Sequence, residues 1–189
     1  MTVSESKAEL RRSIREKRRA LSQAERQYAA ELVAEKLLRI PELVSARYVL
    51  AYMPMKYELD IIPAVRRLEE LGVKAVFPLC IENGGLRLYL PARENGFRIG
   101  AYGILEPDES TAVLIEPGNL DAVILPAIGF DSNRNRLGQG GGYYDRLLAN
   151  LDCFTVAVGF DCQLVKSVPV EEFDKTVDAV VTPGHFIGA

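Results

Sequence analysis

At 189 residues, with a formal net charge of −3 and 48% hydrophobic residues, the chain is long enough to bury one real core and too evenly composed for a disordered or fibrous protein. No apolar run approaches the roughly 18 residues a membrane-spanning helix needs, and a single histidine, His185, placed in the tail, argues against a Ser–His or Cys–His catalytic pair. The three cysteines, Cys80, Cys153 and Cys162, are odd in number and lack Cys-x-x-Cys spacing, so neither a disulfide framework nor a zinc site is indicated.

Charge is distributed unevenly. Between positions 7 and 19 stand Lys7, Arg11, Arg12, Arg15, Lys17, Arg18 and Arg19 against only Glu9 and Glu16, which leaves the rest of the chain acidic. One cationic element suits a small polyanion better than a nucleic acid. The expectation is a cytoplasmic protein with small-molecule ligands, no nucleic-acid or membrane partner and no obligate protein partner.

In chain order, Ser6-Lys-Ala-Glu9 reads as a capping box that opens a helix from residue 7 to about 20, with Leu10, Ile14 and Leu21 as a narrow apolar stripe. Ser22-Gln-Ala-Glu25 is a second capping box. Its helix carries Tyr28, Ala29, Leu32, Val33, Leu37 and Ile40 at helical spacing and ends at Pro41. Tyr48–Tyr52 is a short apolar run of the kind found in a strand buried on both faces, ended by Met53-Pro54. Glu58 and Asp60 follow at its carboxyl end, before a helix with Ile61, Val65, Leu68 and Leu71 that Gly72 stops. Asp60 has an ordinary role as a helix N-cap, whereas Glu58 has none.

Residues 73–79 form a second strand. Asn83-Gly84 between that run and Leu86–Leu90 is a hairpin signal. Residues 91–118 are rich in proline and glycine and read as a long surface connection or a lid. Residues 122–125 and 154–158 read as further strands and 179–181 as a short final one. Strands alternating with helices predict an α/β fold: a single three-layer domain over residues 1–189, a mostly parallel sheet with helices on both faces and one antiparallel hairpin.

The stretch from Leu125 to Arg146 is the densest in signals. Gly138, Gly140, Gly141 and Gly142 remove four Cβ atoms within five positions, so backbone N–H groups can close around an anion. A helix over 144–151 would add its N-terminal dipole, and Arg136 and Arg146 flank the turn with charges that can fork onto phosphate. A plain strand-to-helix turn is the structural alternative. Neither the Walker A loop nor the dinucleotide fingerprint fits, because Tyr143 stands where each needs another residue.

These residues resemble the signature of the 5-formyltetrahydrofolate cyclo-ligase family, also called methenyltetrahydrofolate synthetases. Pro126, Phe130 and Asp131 match its Pro-x-x-x-Phe-Asp segment. Arg136, Leu137, Gly138, Gly140, Gly142, Tyr143, Tyr144 and Asp145 match its Arg-Leu-Gly-x-Gly-x-Gly-Tyr-Tyr-Asp. Weaker matches reach nearly the whole chain: Lys7 and Arg11 in the basic helix, Tyr57–Asp60, and Lys175 to Asp178. Position 139 departs, with Gln139 where members usually carry a basic or aromatic residue.

The resemblance implies an enzyme that uses ATP as co-substrate, with Mg2+, to convert 5-formyltetrahydrofolate into 5,10-methenyltetrahydrofolate. It implies ATP contacts at Lys7, Arg11, Arg136, Leu137, Gly138, Gln139, Gly140, Gly141, Gly142 and Tyr143, with Arg136 and Tyr143 at the reacting centre. Folate contacts fall on Met53, Glu58, Gln139, Gly140, Gly141, Gly142 and Tyr143, and magnesium on Asp145 and Asp178. Left to themselves, Asp145 could cap a helix or pair with Arg146, and Asp178 could be a strand-edge charge. Two rivals use the same glycine turn: a sugar-phosphate isomerase-like enzyme that needs no ATP, and a non-catalytic paralogue that binds folate or nucleotide for regulation.

Overall fold

The computed structural model describes residues 2–81, 84–92, 96–100, 103–171 and 174–188. An eight-stranded sheet runs through it in the order β12-β11-β10-β7-β1-β2-β3-β6. The strands are β1 (Tyr48–Leu50), β2 (Lys74–Cys80), β3 (Leu86–Leu90), β6 (Val113–Ile115), β7 (Ala122–Pro126), β10 (Phe154–Val158), β11 (Ala179–Val181) and β12 (Phe186–Gly188). The five central strands from β11 to β2 are parallel, and β12, β3 and β6 add antiparallel edges.

Side-chain alternation along these strands makes two cores. Val49, Ala75, Phe77, Ile124, Val156, Val158 and Val181 face α2 (Gln23–Leu37) and α4 (Ile62–Glu70), whose Ala29, Val33, Leu37, Val65 and Leu68 complete that core. The other face, with Leu50, Val76, Val123, Leu125, Ala157 and Val180, is covered partly by Leu147 and Leu148 of α5 (Tyr143–Leu148). The long basic helix α1 (Val3–Ala20) packs separately, through Ile14 on Ile128, Leu137 and Val168.

The α/β layers are as expected, and several local expectations change. Helix α1 begins four residues early because Thr2 and Glu5 form the capping box, leaving Ser6 inside the helix. Tyr28 is 68% exposed: the buried face of α2 is the small-residue side of Ala29, Ala30, Val33 and Ala34. Pro41 does not merely stop α2; it occupies the first turn of a short α3 (Pro41–Val44), where a missing N–H costs nothing. β2 and β3 pair antiparallel as expected and Gly84 holds φ +75°, while Glu82 and Asn83, where the rest of the expected turn falls, lie outside the described residues.

The stretch 91–118 is not a featureless connection. It holds a hairpin, β4 (Phe97–Ile99) with β5 (Leu105–Pro107), and the edge strand β6. Phe97 stacks edge-on against Phe77 at 5.1 Å, which seats the hairpin beside β2. The 179–181 strand is not the last, since β12 pairs back onto it. Antiparallel pairing is therefore more extensive than the single hairpin expected.

β1 and β7 run parallel, but the order in which strands are added reverses between them. The successor of β1 lies on one side of the sheet and that of β7 on the other, so a crevice opens at their carboxyl ends.

Candidate active site

A cavity of about 390 Å3 fills that crevice. Tyr52, Met53, Met55 and Glu58 line it from the segment after β1, and Pro78 and Cys80 from β2. Pro126, Arg136, Gly138, Gln139, Gly141, Gly142, Tyr143, Tyr144 and Asp145 line it from the β7–α5 region. Ile104 and Glu106 of the β4–β5 hairpin close the far wall.

The glycine turn is delivered by a small hairpin, β8 (Gly129–Phe130) with β9 (Arg136–Leu137). Asp131 knots its loop. Fully buried, it accepts hydrogen bonds from the backbone of Asn133, Asn135 and Val168 and from the Asn135 side chain, at 2.9–3.0 Å. Burial alone would raise its pKa, but those four donors outweigh it and hold the carboxyl below its ordinary range.

Two of the glycines need their freedom. Gly140 has φ +111° and Gly142 φ +67°, whereas Gly138 and Gly141 are outside that region. A Cβ on Gly140 would stand 3.7 Å from the Arg11 guanidinium, so backbone conformation rather than crowding requires glycine there. Helix α5 has six residues, ending three positions before the expected 144–151 helix would end, and so short a helix offers little dipole. The anion-attracting features are thus backbone N–H groups and arginines.

Their engagements differ from expectation in detail. Arg136 is buried and ion-paired with Asp145, its Nε without a partner among the described residues. Arg11 donates from Nε to the Gly138 carbonyl at 2.9 Å, which puts α1 against the turn. Lys7, one helical turn earlier, is buried and paired with Glu171 at 2.7 Å and Asp174 at 2.6 Å. Arg146 does not face a phosphate subsite: it donates to Gly84 O at 3.1 and 2.6 Å and to Gly141 O at 2.8 Å, tying the β2–β3 turn to the glycine turn. Its guanidinium lies 5.3 Å from the Tyr143 ring centroid.

Asp178 is not brought to this site. It accepts from Thr155 N at 2.8 Å and Thr155 Oγ1 at 2.7 Å, at the amino-terminal edge of β10 and β11, while the cavity lies at the carboxyl edge. That is the strand-edge role. Asp60, in turn, accepts from Ile62 N at 2.9 Å and so helps start α4.

Glu58 has a structural engagement that its sequence position did not suggest. Its Oε2 accepts from Met55 N at 3.0 Å and closes the turn in which Tyr57 adopts φ +71°. Its Oε1 accepts from Gln139 Nε2 at 3.0 Å, and Gln139 Oε1 accepts from Arg15 Nη2 at 2.9 Å. Tyr52 and Tyr144 sit beside it. Burial first, and then the Glu58 charge, raises both phenols, so they stay neutral. Sequence reasoning passed over Arg15, Tyr52, Cys80, Ile104 and Glu106. Only Arg15 carried a signal, being four residues from Arg11 on the same helix face.

The site is therefore an apolar slot with carboxylates at Glu58 and Glu106 and a glycine-and-arginine wall. A family model described as the 5-formyltetrahydrofolate cyclo-ligase family matches residues 3–183. The chain belongs to that family. It is 34% identical to the 5-formyltetrahydrofolate cyclo-ligase of Escherichia coli over 90% of this chain and 96% of that one. It is 31% identical to that of Mycolicibacterium smegmatis over 97% of each. The solution structure of the Aquifex aeolicus 5,10-methenyltetrahydrofolate synthetase superposes with a TM-score of 0.85 at 32% identity, covering 96% of this cyclo-ligase family member and 92% of that chain.

Family membership favours the nucleotide-and-folate reading over the isomerase-like one. Among the described residues no helix is long and apolar enough to cross a membrane, and no group of three or more His, Cys, Asp or Glu side chains converges as a metal cage.

Proposed function

We propose that this protein uses ATP to cyclise 5-formyltetrahydrofolate to 5,10-methenyltetrahydrofolate, releasing ADP and phosphate. The observation that carries this is the joining of two unlike subsites in one crevice. An apolar slot ending in Glu58 meets the Gly138–Gly142 turn with Arg136 and Arg11, in a chain of this family.

The chemistry explains why both are needed. An N-formyl amide is a poor electrophile, and its oxygen is a poor leaving group. Attack of that oxygen on the γ-phosphorus forms the O–P bond, breaks the bond to ADP and leaves a formyl carbon conjugated to a cationic N5. The substrate's N10 then attacks this carbon and loses its proton. The C–O bond breaks with its electron pair going to phosphate, and the amidinium ring is left. No protein nucleophile is required, so positioning and charge stabilisation carry the catalysis.

The residues divide accordingly. Backbone N–H groups of Gly138, Gln139, Gly140, Gly141 and Gly142, with Leu137 behind them, cradle the phosphates, and Arg136 meets the transferred phosphoryl group. Arg11 and Lys7 neutralise the remaining charge, the nucleotide replacing Glu171 and Asp174 as partner of Lys7. Tyr143 packs at the junction of the two substrates. Met53 lies against the pteridine, whose paired N–H donors Glu58 accepts.

Magnesium fits here in a reduced form. Asp145 faces the cavity with one oxygen on Arg136 and can offer the other as a hard ligand, whereas Asp178 is held elsewhere by Thr155. A magnesium ion with one protein carboxylate and otherwise phosphate and water oxygens is an ordinary arrangement. Bound there, it would neutralise charge on the phosphate oxygens. The test is turnover: purified protein with ATP, Mg2+ and 5-formyltetrahydrofolate develops methenyltetrahydrofolate absorbance, and omission of ATP abolishes it.

A further inference from the structure

We propose that Arg15, acting through Gln139, is a positioning residue for Glu58, so that the basic helix sets the folate subsite as well as facing the nucleotide. This rests on the folate-recognition reading of Glu58. Three elements far apart in sequence are joined by one amide: Arg15 Nη2 donates to Gln139 Oε1 at 2.9 Å, and Gln139 Nε2 donates to Glu58 Oε1 at 3.0 Å.

The amide orientation is determined by charge. Turned over, it would present a donor to the guanidinium and an acceptor to the carboxylate, losing both bonds. Glutamine is thus suited to bridge a cation and an anion, whereas a lysine or arginine at 139 would confront Arg15. Glu58 Oε2 is fixed separately by Met55 N. With both oxygens held, the carboxylate plane is set before a ligand arrives, and its remaining lone pairs can face the paired donors of an aminopyrimidinone. Arg18, one turn further along α1, is buried, its Nε unpartnered among the described residues, and Glu58 is the leading opposite charge acting on it. Two cations of one helix therefore bear on Glu58, Arg15 through the directed bonds of Gln139.

The relay predicts a pattern that bulk electrostatics does not. Arg15→Met and Gln139→Ala should each weaken 5-formyltetrahydrofolate binding by roughly three- to tenfold, and Arg15→Met, outside the phosphate cradle, should raise its KM with kcat changed less than twofold. The double variant should be no worse than either single one, because both break the same chain. Arg12→Met, an equal charge loss at an exposed neighbour, should leave folate binding unchanged. Calorimetric titration of the four variants and the parent with 5-formyltetrahydrofolate decides it. Additive effects, an equal loss in Arg12→Met, or unchanged affinity in both single variants overturns the relay. Absence of binding by the parent would instead refute the folate reading itself.

Discussion

At Glu58 a single side chain closes the turn in which Tyr57 holds φ +71° and, in the function proposed, offers the acceptors a reduced pteridine needs. Replacement by glutamine keeps the shape but presents a donor where the substrate also donates, and loss of a hydrogen bond to a charged group costs roughly 1.5–3 kcal/mol. Glu58→Gln should therefore lower folate affinity about tenfold or more while ATP affinity barely moves. Equilibrium titration with each ligand separately checks this; loss of turnover with normal folate binding would assign Glu58 to catalysis instead. Gly140 makes a complementary case. Its φ of +111° is barred to a β-branched residue, so Gly140→Val should reshape the cradle and abolish measurable Mg-ATP binding with the fold retained. Unchanged nucleotide affinity in a folded variant would return the glycines to the role of a turn.

Elements govern how these residues meet. Helix α1 supplies Lys7, Arg11 and Arg15 at successive turns on one face, with Lys7 paired to Glu171 and Asp174. Removing the lysine leaves those two carboxylates beside the phosphate subsite. Lys7→Ala should thus raise KM for ATP at least tenfold and that for folate far less, and restoration by Asp174→Ala in the same chain would identify repulsion as the cause. Steady-state kinetics with each substrate varied in turn measures both. The helix itself was readable from its basic run and apolar stripe, as were the central strands, because hydrophobic period is local, although the capping box of α1 lies at Thr2 and Glu5 rather than at Ser6 and Glu9. The β4–β5 hairpin was not: its seat depends on Phe97 reaching Phe77 across the fold, and nothing in residues 91–118 announces that contact. For the same reason Ile104 and Glu106 of the cavity wall went unseen. Asp178 shows the converse, a match to a family position that the structure ties to Thr155 at the opposite edge of the sheet.

For the molecule as a whole, the reversal of strand order between β1 and β7 places the crevice, and the Asp131 knot carries the glycine turn to it. The folded pKa of Asp131 lies below its unfolded value of 3.8, so its stabilisation is complete above that pH and is lost as pH falls through the folded pKa. Asp131→Asn turns an oxygen acceptor into a donor facing N–H groups. It should cost about 2–4 kcal/mol at neutral pH and flatten the acid limb of the stability profile below about pH 4. Urea unfolding across pH 3–7 reads both effects. The central claim is that one crevice holds both substrates and joins N10 to the formyl carbon at the expense of ATP. Mixing the protein with 5-formyltetrahydrofolate, Mg2+ and ATP, and following methenyltetrahydrofolate absorbance alongside ADP, tests it most directly. The account predicts that the two products rise one for one and that neither forms when either substrate is omitted. ADP release without cyclised product, or no turnover by folded protein that binds both ligands, would contradict it.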